Sequence, residues 1–127
     1  MPALARGLIV VALSCVVLAP AQAQDVAHFL VRVDRLLARG PFALVSRDFY
    51  RLKGEIEADG RALKREYAYA HAHGLKTAFC PPAKGKPRVG KQEFLAALRA
   101  VPVPRRATTD TKDVLRHLLE RKYPCAR

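Results

Sequence analysis

The chain has 127 residues, with 23 Lys and Arg against 11 Asp and Glu, a net charge of +12, and no Trp. That length holds one small domain with one modest core and excludes a multidomain assembly. The charge favours anionic partners or surfaces without naming one, and no internal repeat or low-complexity tract is present.

The first 23 residues, MPALARGLIVVALSCVVLAPAQA, have the pattern of a cleaved secretory signal peptide. Arg6 supplies the positive start, Gly7 to Ala19 is an uncharged apolar run, and Ala21-Gln22-Ala23 is a small-x-small cleavage site. The run is shorter than the roughly 20 apolar residues a spanning helix needs. A lipidated Cys15 is the competing reading, but Ala12 stands where such sites usually carry Leu. Cleavage leaves a helical domain over 24–127. It removes Arg6, so the net charge falls by one, to +11, and it removes Cys15, so two cysteines remain.

In the mature part, residues Asp25 to Arg39 read as a first helix with Phe29, Leu30, Val33, Leu36 and Leu37 on its apolar side. Gly40-Pro41 stops it, Gly taking the left-handed position and Pro blocking continuation. PFALV then reads as a short helical turn. Ser46 is a candidate N-cap for a long helix from Arg47 to about His73, with Asp48 in its first turn and Gly74 at its end. At about 100° per residue, Phe49, Leu52, Ile56, Gly60, Leu63, Tyr67 and Ala70 form an apolar seam about 80° wide. Asp48, Glu55, Asp59 and Glu66 flank that seam, and Arg47, Arg51, Arg61 and Arg65 share the far side. Gly60 costs the helix about 1 kcal/mol relative to Ala; it marks either a close approach of another backbone or a kink. Gly54, off the seam, simply weakens the helix.

Residues Leu75 to Gly90 hold too many prolines and glycines for a regular element. Lys91 to Ala100 reads as a third helix with Phe94, Leu95, Leu98 and Val101 inward. PVPRR breaks the chain, Asp110 caps a last helix with Val114, Leu115, Leu118 and Leu119 inward, and Pro124 ends it. No stretch alternates as a strand does. The expectation is an all-α, small four-helix domain.

Cys80 and Cys125 lie 45 positions apart, each beside a proline. In an oxidising compartment such a pair persists as a disulfide, and closing a loop of this length is worth about 4 kcal/mol in the chain-entropy model. Free or intermolecular thiols, and a redox or metal role, are the alternatives. Neither a C-x-x-C pair nor a further clustered ligand supports the last of these.

Catalytic chemistry finds no footing in the residues. Ser46 and the Thr108, Thr109 and Thr111 cluster sit at helix starts, and the acids lie on helical flanks. KGKPRVGK fails the Walker pattern in its glycine spacing and its missing hydroxyl residue. His71 and His73 point about 160° apart on a helix and cannot chelate together, and His71 is expected to be partly buried beside the seam. His117 and Glu120 stand one turn apart without further ligands. The reading is a non-enzyme without cofactor or metal. The remaining signal is charge: Lys84, Lys86, Arg88 and Lys91 in or beside the long loop, with Arg105 and Arg106 in the next turn, are candidate anion-binding residues. Stacking aromatics are not interleaved with them, which speaks against nucleic acid.

The stretch FCPP, the amphipathic helix 91–100, the VPVPRR break, the helix 111–122 and the closing KYPC together resemble the immunity proteins that neutralise type VI secretion peptidoglycan amidases. The resemblance covers residues 79–125, where Cys80 and Cys125 match the family's C-terminal disulfide. Family members often carry a second cysteine pair and a Gly-aromatic segment nearer the N-terminus; residues 24–79 have neither. The resemblance implies a small exported helical inhibitor of a secreted amidase effector.

Two functions follow as expectations. The first is a periplasmic or secreted binding protein that acts on another protein, with the apolar seam of the long helix also offering a route to a homodimer. The second is a basic envelope protein that binds anionic polymers or membrane surfaces.

Overall fold

A computed structural model of the chain describes residues 24–126. The signal peptide expected over 1–23, with Cys15, lies outside the described residues. Among these the structure is all-α: α1 (Val26–Leu37), a 3-10 helix (Gly40–Val45), α2 (Arg47–Ala72), α3 (Lys91–Ala100), a second 3-10 helix (Val103–Thr108) and α4 (Thr111–Lys122).

Local chemistry sets most helix ends. The Asp25 carboxylate accepts from the His28 N–H at 2.9 Å and starts α1. Gly40 follows α1 at φ +66°, a conformation that only glycine adopts freely. Ser46 Oγ accepts from the Phe49 N–H at 3.2 Å and starts α2, and Gly74 at φ +63° lies just past its end. The 26 residues of α2 make a rod about 39 Å long at 1.5 Å per residue. Glu93 reaches back to the Gly90 N–H at 3.1 Å at the start of α3.

Two expectations about ends need correction. Asp110 occupies the position before α4, but its side chain makes no capping hydrogen bond. The chain is instead paired there, backbone to backbone, with the residues before α1. The Val26 N–H donates to Thr109 O and the Thr111 N–H to Gln24 O, each at 2.9 Å, so a neighbouring carbonyl satisfies the first orphan donor of α4. The PVPRR segment is not merely a break; it winds into the second 3-10 helix.

One cluster of buried apolar side chains serves all four helices. Phe29 of α1 meets Phe94 of α3 edge-on, with centroids 6.4 Å apart. Leu52 and Leu63 of α2, Leu98 of α3, and Val114, Leu115, Leu118 and Leu119 of α4 fill the centre. Of the adjacent pair Leu36 and Leu37, expected on one face, only Leu36 is buried. Neighbours stand about 100° apart, and the face of α1 is too narrow for both. The seam of α2 packs against α1 and α4 of its own chain. Gly60 admits no other backbone: the helix assignment is continuous past it, and a Cβ there would meet nothing within 4 Å.

Cys80 and Cys125 are bonded. The link joins the loop after α2 to the segment after α4, so α3, the second 3-10 helix and α4 lie inside a covalent ring. The Cys80 N–H donates to Tyr123 O at 2.9 Å beside it. Phe79, 5% exposed, stacks on Tyr67 of α2 with centroids 5.8 Å apart. This fixes the loop to the long helix. Among the described residues no helix is long and apolar enough to cross a membrane.

Candidate functional site

The acidic edge of α2 is paired with groups of the same chain. Asp48 pairs with Arg39 at 3.0 Å, Glu55 with Arg32 at 2.9 Å, and Glu66 with Lys112 and Arg116 at 2.8 Å each. Burial alone would raise the pKa of Glu66, but the hydrogen bonds from Lys112 and Arg116 outweigh it and hold the carboxyl below the usual glutamate range. Asp59 accepts from the Thr111 hydroxyl at 2.6 Å, and here burial wins: its pKa is raised. Asp34 takes Arg99, and Glu93 takes Lys122, which holds the Glu93 carboxyl below its ordinary value. Nine of the eleven acidic side chains stand in ion pairs, two of these with histidines. The bases left outside these pairs carry the excess positive charge.

Many basic groups make no ion pair among the described residues. Arg47, Arg51, Arg61 and Arg65 are exposed along the back of α2, as their spacing predicts. Lys84, Lys86 and Arg88 are exposed on the loop, whose shape is set at several points. Gly85 takes φ +86°, the Tyr123 hydroxyl accepts from the Arg88 N–H at 3.0 Å, and Thr77 Oγ1 lies 3.5 Å from Cys125 Sγ.

The six candidate anion-binding residues do not form one patch. Lys86 stands with Lys64 of α2 on the rim of an apolar groove of about 480 Å³, floored by Leu63, Phe79, Leu115 and Leu119. Arg105 stands with His117 and Arg121 on a different groove of about 540 Å³ between α3, the second 3-10 helix and α4. The two grooves share no lining residue. Lys91 sits 5.8 Å above the ring of Phe49. Arg106 is committed to structure: its guanidinium donates to Val101 O at 2.9 Å and Arg99 O at 2.8 Å, closing the carbonyl end of α3. It is removed from the anion-binding set. Lys64 and Arg121 are the neighbours that sequence reasoning missed, because packing rather than spacing brings them there.

The hydroxyls are engaged. Ser46 Oγ donates to Ala43 O at 2.7 Å while it caps α2, and Thr109 Oγ1 donates to Arg105 O at 2.7 Å. His71 is exposed rather than part-buried; its ring lies 5.8 Å from that of Tyr67. His73 stacks on Tyr69 at 4.1 Å. His117 Nδ1 meets Glu120 Oε2 at 2.9 Å, one turn apart. Among the described residues no three His, Cys, Asp or Glu side chains gather as metal ligands would. What the arrangement offers is a positive surface on which these two grooves carry basic residues at their rims. No protein-family model, curated protein or solved structure matches the chain.

Proposed function

We propose that this chain is an exported, disulfide-stapled helical protein that works by binding another protein, as an immunity-type inhibitor of a cell-wall amidase. An inhibitor of this kind needs a rigid surface and no chemistry of its own. The observation that carries the reading is the pairing of the acids within the chain, which leaves exposed arginines and lysines suited to an acidic protein face. The disulfide supports it, since a covalent ring holds the loop that bears Lys84, Lys86 and Arg88. A disulfide of this type also suits an oxidising compartment such as the periplasm.

The test is a pull-down from periplasmic extract at low and moderate salt, followed by a peptidoglycan-hydrolysis assay of whatever is retained. The expected result is one protein held in fixed stoichiometry at both salts, with its hydrolytic activity suppressed. Retention without suppression would defeat the inhibitor reading.

The second reading is an envelope protein that binds anionic polymers or membrane surfaces. The unpaired arginines along α2 favour it, because they form a stripe rather than a pocket. Binding of that kind falls steeply as salt rises.

A further inference from the structure

Residues 37–45 place apolar side chains where the fold has no use for them. Leu37 is 57% exposed, Phe42 78%, Leu44 61% and Val45 75%. The 3-10 helix explains why. Positions three apart eclipse one another, so residues 40–45 form three ridges. On the Gly40–Ala43 ridge Ala43 is buried, the one buried side chain of the turn. The Pro41–Leu44 and Phe42–Val45 ridges are left to water. The turn is braced as well: Gly40 sits at φ +66°, and the Ser46 N–H and Oγ both donate to Ala43 O, at 3.1 and 2.7 Å. An apolar tip of this kind on a fixed base marks an interaction site.

The surrounding charge has one sign. No acid occurs between Arg35 and Arg47. Of the flanking acids, Asp34 is held by Arg99 and Asp48 by Arg39. Arg35, Arg47 and Arg51 are exposed and make no ion pair among the described residues. Arg47, Arg51, Arg61 and Arg65 fall within about 80° of one another around α2, so two pairs of arginines share one side of the helix, the first beginning two residues after Val45 and the last about 27 Å further along. Arginines spread along one side of a helix, next in the chain to an apolar turn, complement an extended anionic plane. A pocket on a protein would match the turn and leave the arginines unused.

We propose that the turn inserts into the headgroup region of an anionic phospholipid bilayer, Phe42, Leu44 and Val45 entering the acyl boundary while these arginines lie along the lipid phosphates. The inference rests on the second reading above and assigns it a surface.

The chain has no Trp, so Phe42→Trp gives a single fluorescent reporter at the tip. The purified oxidised protein is mixed with phosphatidylcholine vesicles, with and without phosphatidylglycerol. The expected result is binding to the anionic vesicles alone, a blue shift of the reporter and quenching by brominated acyl chains. Phe42→Ser with Val45→Ser should weaken vesicle binding by about tenfold or more and leave the melting temperature unchanged, since both side chains are exposed. Lys84→Gln, Lys86→Gln and Arg88→Gln together should weaken it far less. If the triple variant loses binding and the serine variant keeps it, membrane binding belongs to the loop and the inference falls while the second reading stands. Binding with an unshifted, unquenched reporter would likewise overturn insertion alone. No binding of the parent protein to anionic vesicles would overturn the inference and the membrane form of that reading together. A serine variant that keeps its vesicles but loses a protein partner would make the tip a protein contact and overturn the inference.

Discussion

Thr111 Oγ1 donates to Asp59 Oδ2 at 2.6 Å, joining the first turn of α4 to the middle of α2. Thr111 is 2% exposed and Asp59 is half-buried, and burial raises the carboxyl pKa in spite of the hydrogen bond. The folded state therefore holds a proton more readily than the unfolded state. That share of stability is complete below the ordinary aspartate value of 3.8 and is lost as pH rises through the raised one. Asp59→Asn keeps an acceptor for Thr111 and removes the charge. Its melting temperature should exceed that of the parent at neutral pH, and the gain should vanish in acid. An equal gain at both pH values would show that the charge is not the cause.

The covalent ring predicts a large response to reductant. With the two cysteines 45 positions apart, Cys80→Ser with Cys125→Ser should lower stability by about 4 kcal/mol in the chain-entropy model. Thermal unfolding followed by circular dichroism reads this directly, and dithiothreitol should reproduce the loss in the parent and do nothing to the double variant. An unchanged transition in reductant would show that the helices hold the tail without the sulfurs.

Arg105 and Arg106 should separate cleanly although they are adjacent. Arg106→Ala uncovers the carbonyls of Arg99 and Val101 and should cost about 1 kcal/mol of stability. Arg105 is exposed, so Arg105→Ala should leave the transition within about 0.5 kcal/mol of the parent. Urea unfolding of both proteins decides it; equal losses would mean that the carbonyl end of α3 does not depend on the guanidinium.

Gly60 lies within α2 with open space where a Cβ would point. Gly60→Ala should therefore stabilise the helix by about 1 kcal/mol, which for a domain of this size is about 4–8 °C in melting temperature. A loss instead would reveal a contact at that position.

The helix boundaries were readable in the residues because their causes are local. Ser46 caps, and Gly40 and Gly74 take left-handed turns, through chemistry confined to three or four neighbours. The α2 seam and the inward face of α4 were readable because burial repeats with the helical period. Other features depend on distant partners and leave no period. The pairing beside Asp25 and Asp110 joins backbones 85 residues apart, and any side chains could flank it. The acidic edge of α2 was visible as a stripe, but not that Arg32, Thr111, Lys112 and Arg116 would receive it. Arg106 was indistinguishable from Arg105 in sequence, since a guanidinium donates equally well to water, phosphate or a carbonyl.

The ring that encloses the two C-terminal helices also sets an order of events during synthesis. A ribosome adds about 5–20 residues per second, so Cys80 exists as a solitary thiol for seconds before Cys125 is made. Within that interval Cys125 cannot be its partner, and correct closure depends on keeping other thiols away until the last helix arrives.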